Sequence, residues 1–76
     1  MEEKIRKQIE KLEAEAEEHK ERLSVAVKEF KNAAERYDDY DIVNFIDGYI
    51  RNIRYERDRI AAIEEQIRML VWLGKE

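Results

Sequence analysis

Apolar residues recur in this chain at steps that alternate four, three, four, three, and they do so twice, in mirror image about the stretch Tyr37 to Asp41. Upstream the repeat runs back through Tyr37, Ala33, Phe30, Ala26, Leu23, His19, Ala16, Leu12, Ile9 and Ile5. Downstream it runs through Ile42, Ile46, Tyr49, Ile53, Glu56, Ile60, Ile63, Ile67, Leu70 and Gly74. That period belongs to a helix whose stripe faces a single partner helix. Folding the chain at Tyr37–Asp41 sets the arms against each other layer by layer, Phe30 on Tyr49, Ala16 on Ile63, Leu12 on Ile67. The repeat predicts an all-α fold, an antiparallel two-helix coiled-coil hairpin. The helices fall at about 2–37 and 40–73 around a turn at 38–40, in one domain spanning 1–76.

Composition agrees with long, surface-rich helices: 45% of residues are charged, there is no proline, and glycine occurs twice. A hairpin of 76 residues buries one stripe per helix, and chains of this size gain no more than about 3–5 kcal/mol from a single core. With no cysteine to form a staple, association is the expected further source of stability. The N-terminal residues lack the continuous apolar stretch of a signal peptide, and no run approaches a membrane span, so a cytoplasmic location is expected. The net charge of −4 argues against general nucleic-acid binding.

Few residues suggest chemistry. A single histidine, a single serine and no cysteine, on a rod without a deep concavity, point away from an enzyme. Ser24 lies in mid-helix with no base in reach. His19 occupies the seam one layer from Glu56, the only acid in the downstream repeat, so the two are expected to form a partly buried polar pair that fixes register. Histidine titrates near neutrality and a carboxylate beside it favours the imidazolium, so a pH switch is a second use for the pair. A di-metal site is not expected, because Ala16 stands where the Glu-x-x-His motif needs its glutamate. Asp38, Asp39 and Asp41 are turn and capping residues, with Asp38 or Asp39 as the N-cap. They lack the glycine and distal glutamate of a calcium loop, and no cofactor is expected. Gly48 would relieve crowding beside the Phe30–Tyr49 layer or admit another chain, and Gly74 fits a C-terminal cap.

The flanks of the seam carry the functional expectation. Near the turn Val27, Ala34, Val43 and Ile50 fall on one flank and are all apolar, whereas the other carries Glu15, Arg22, Glu29 and Arg36 beside Phe45. A one-sided apolar extension predicts a second layer, met by a homodimer that closes a four-helix bundle through those four residues. At the open end Met69 to Leu73 run consecutively and cannot all face one helix, which makes Met69, Trp72 and Leu73 candidate partner anchors. The leading expectation is therefore a non-enzymatic interaction module, a regulator, adaptor or inhibitor, with an unidentified protein as its partner. The alternative is nucleic-acid binding by Arg51, Arg54 and Tyr55, an arginine face with an interleaved aromatic. In outline the chain resembles the Rop-type plasmid RNA-binding hairpins, which dimerise into a four-helix bundle; the likeness covers architecture alone, without a shared motif, and carries over no residue. An acidic decoy built on Glu10 to Glu21 ranks third, since Lys11 and Lys20 dilute that patch.

Overall fold

The computed structural model describes residues 2–75 as two helices, α1 over Glu3–Arg36 and α2 over Asp39–Gly74, packed along their length into a rod of 56 × 14 × 12 Å. Good helix formers dominate α1, and exposed pairs Arg6–Glu3 and Arg22–Glu18 brace it at i,i+3 and i,i+4 spacing. α1 ends one residue sooner than the repeat predicts. Tyr37 leaves the helix in an extended conformation, its N–H still bonded to the Ala33 carbonyl, and its ring lies 5.5 Å from that of Phe45.

Asp38 then caps α2: its backbone is extended and its carboxylate accepts the Asp41 N–H at 2.8 Å. One capped residue beyond Tyr37 is all the loop that remains, and so short a connection leaves the helices no choice but to lie side by side and antiparallel. At the far end α2 does not use Gly74 as a left-handed cap. Gly74 is helical without a positive φ, and Lys75 continues right-handed with its N–H on the Leu73 and Trp72 carbonyls.

The seam is the one the periodicity describes. Leu12, Ala16 and Ile63 form the buried centre, with Ile67 and Leu70 packed against it, and the Phe30 and Tyr49 rings meet edge to face at 5.8 Å. This register sets Ala16, Ala26 and Ala33 of α1 across from Ile63, Ile53 and Ile46 of α2. Small residues on one helix thus accept branched ones from the other. Ile63 is 1% exposed and Ala33 fully covered.

Candidate interaction surfaces

One polar layer interrupts the seam. His19 Nδ1 lies 2.6 Å from Glu56 Oε2, with the two side chains only 13% and 12% exposed. Tyr55 meets the imidazole edge to face at 6.5 Å, a neighbour the seam repeat does not reveal because Tyr55 lies outside it. Among the described residues no buried side-chain nitrogen or oxygen is left without a partner, so the layer is internally satisfied. A satisfied polar layer in an apolar seam penalises any slip of one helix along the other, because a slip would strand both groups against hydrocarbon.

On the flank of Val27, Ala34, Val43 and Ile50, the hairpin itself half-covers Val27 and Ile50. Ala34 and Val43 remain exposed, Val43 at 64%. The free apolar surface there is narrower than four residues suggest.

The larger uncovered surface lies on α2. Met69, Trp72 and Leu73 line one shallow apolar groove with the stems of Glu65 and Arg68, and Met69 and Leu73 also border a second with Gln8, Leu12 and Leu70. Trp72 is 61% exposed and Met69 59%. Glu65 is hydrogen-bonded to Arg68, and its carboxylate holds that guanidinium above its usual range. Nearer the turn Phe45 and Tyr55 are exposed as well.

These residues share a periodicity that was there to be found. Phe45, Gly48, Asn52, Tyr55, Arg59, Ala62, Gln66, Met69 and Leu73 recur at steps of three and four, and every one of the nine is exposed. Gly48 sits in this stripe with open space around it: a Cβ placed there meets no atom within 4 Å. Crowding by Phe30 and Tyr49 is therefore not the reason for the glycine.

Arg51, Arg54 and Tyr55 line one open groove, together with Ile50, but Asp47 and Asp58 stand at its edges and offset the positive charge. Among the described residues no cluster of three or more His, Cys, Asp or Glu side chains is placed to hold a metal ion, and no helix is long and apolar enough to cross a membrane. Comparison with known proteins finds no matching family model, no similar curated protein and no similar solved structure.

Proposed function

We propose that the chain is a small, non-enzymatic protein-interaction module of the cytoplasm, a regulator, adaptor or inhibitor that works as an oligomer of helical hairpins. One observation carries this reading: α2 holds large apolar side chains, Trp72 and Met69 foremost, on a face that its own hairpin leaves open. Covering a large apolar side chain is worth about 1.5–3 kcal/mol, and association can draw on that gain against its entropic cost.

Sedimentation equilibrium over a wide concentration range tests the oligomer directly. The expected result is a reversible dimer at micromolar concentration, with melting temperature rising as protein concentration rises. A well-folded monomer at every concentration overturns the self-association and leaves the apolar face to an unrelated protein.

A second reading has one observation in its favour, the shared groove of Arg51, Arg54 and Tyr55. It requires binding of single-stranded RNA or DNA that weakens steeply with added salt and disappears when both arginines become glutamate. Salt-insensitive or absent binding excludes it.

A further inference from the structure

We propose that the outward stripe of α2 pairs with the same stripe of a second copy, the two α2 helices antiparallel about a two-fold axis beside Asp58 and Arg59. The proposal rests on the oligomer reading above and deepens it by naming the occupant and its register.

The charges along α2 point to a copy of itself. Reading outward from the turn, α2 presents acids at Asp41 and Asp47, bases at Arg51 and Arg54, acids at Glu64 and Glu65, then bases at Arg68 and Lys75. Reversing one helix against the other about Asp58 and Arg59 brings Arg51 near Glu65 of the copy, and Asp41 and Asp47 into the stretch that carries Arg68 and Lys75. The acidic stretch nearest the turn thus meets the basic stretch at the far end, and the basic middle stretch meets the acidic one. Asp58 and Arg59, of opposite sign, lie at the axis. A parallel pairing in register would instead bring Asp47 onto Asp47 and Arg51 onto Arg51, and such like-charge contacts select against it. The intramolecular ion pair of Glu65 with Arg68 is exposed and weak enough to join this network rather than compete with it.

Side-chain sizes agree in the same register. Gly48 comes opposite Met69 of the copy, Tyr55 opposite Ala62 and Phe45 opposite Trp72. Within the hairpin the absent Cβ of Gly48 relieves nothing, whereas against a second helix it admits the bulk of a methionine. The three-and-four spacing of the stripe is the period that a neighbouring helix can follow over several turns. A two-fold, self-complementary surface is also the commonest way for a small chain to close an assembly.

Charge reversal in the full-length chain tests the register. Arg51→Glu alone and Glu65→Arg alone should each weaken the dimer by about tenfold or more, since each places like charges together twice. The double variant should return the dissociation constant to within a few fold of the starting protein. All three should keep the parent helicity by circular dichroism, because both side chains are exposed. As a second measurement, Gly48→Cys and Met69→Cys chains are mixed and oxidised. The proposal requires cross-links between the two variants and none within Gly48→Cys alone.

A dimer indifferent to the charge reversals, or one that Gly48→Cys cross-links to itself, overturns the proposal while the oligomer reading stands. The same holds for a dimer abolished only by Val43→Lys with Ile50→Lys. A monomer at every concentration overturns both.

Discussion

Along one flank of the seam, at equivalent positions three and four apart, α1 carries Gln8, Lys11, Glu15, Glu18, Arg22, Val25, Glu29, Asn32 and Arg36, where α2 carries Phe45, Gly48, Asn52, Tyr55, Arg59, Ala62, Gln66, Met69 and Leu73. The helices are nearly equal in length and share one core. They differ in what they show to water. On α1 that face is polar apart from Val25, with Glu18 and Arg22 ion-paired on it. The corresponding face of α2 leaves Phe45, Tyr55, Met69 and Leu73 exposed, with Trp72 beside them. On the reading proposed above, α1 completes the fold and α2 is shared between the fold and a second copy.

The same division applies inside the seam. In the layers that pair alanine with isoleucine, α2 supplies the bulk, so truncation there should be the most damaging single change. Ile63→Ala is expected to cost about 2–5 kcal/mol, the range for emptying a well-packed core position. Urea unfolding at fixed protein concentration measures it. A loss below about 1 kcal/mol would mean that α1 collapses into the space and that the layers are not closely packed.

The outer faces come next. Met69→Lys with Trp72→Lys removes two apolar side chains worth up to about 1.5–3 kcal/mol each when covered, and should abolish the concentration dependence of melting. The mirror change on α1, Lys11→Glu with Glu18→Lys, should leave that dependence intact. Equal responses from both pairs would erase the distinction between the helices.

How much of this was legible in the sequence follows from where the forces act. The seam was legible in the repeat, from the centre at Leu12, Ala16 and Ile63 to Phe30 opposite Tyr49, because helix-on-helix burial imposes one period and a stripe on each arm records it. The ends were less legible. Tyr37 keeps the repeat but lies outside α1, since the short loop needs an extended residue there, and Gly74 fits the spacing of a cap without adopting the left-handed conformation of one. The α2 stripe is written in the same three-and-four code, yet Asn52, Arg59 and Gln66 interrupt it and a polar neighbour dilutes the signal. Gly48 was ambiguous until the space around it was known. No periodicity in one arm says which molecule covers an outer face.

The polar layer offers a test of intermediate size. Glu56 is the acid of the α2 seam, and Glu56→Ala leaves the largely covered His19 without its partner. A stability loss of about 1–3 kcal/mol at neutral pH is expected, as for any buried polar group so stranded. Replacing both residues by leucine should be near neutral or stabilising, because two hydrocarbons need no desolvation. If the double variant also shifts register, seen as loss of the Phe30–Tyr49 contact by NMR, then the layer specifies alignment as well as filling space.

The helix starts differ too. Asp38 caps α2 through the Asp41 N–H, whereas Glu2 makes no side-chain cap to α1. Asp38→Ala should therefore cost about 1 kcal/mol in thermal or urea unfolding. Glu2→Ala should change stability by much less, by the few tenths of a kcal/mol typical of an exposed dipole contact. Comparable losses would place an unrecognised constraint at the start of α1.

The smallest change separates the two helices most finely. α1 has no glycine, and α2 carries Gly48 inside the helix at a position open to solvent. In a lone hairpin Gly48→Ala should stabilise by up to about 1 kcal/mol, since alanine loses less backbone freedom on becoming helical and meets no atom there. Against a second α2 the new methyl group takes up space assigned to Met69 of the copy, so the gain should shrink or reverse once the chain is dimeric. Urea unfolding of the variant and the parent, each at a dilute and a concentrated condition, gives four midpoints. A benefit present when dilute and lost when concentrated locates the partner over Gly48. A benefit of equal size under both conditions moves the partner elsewhere, and with it the reason for a glycine in this helix.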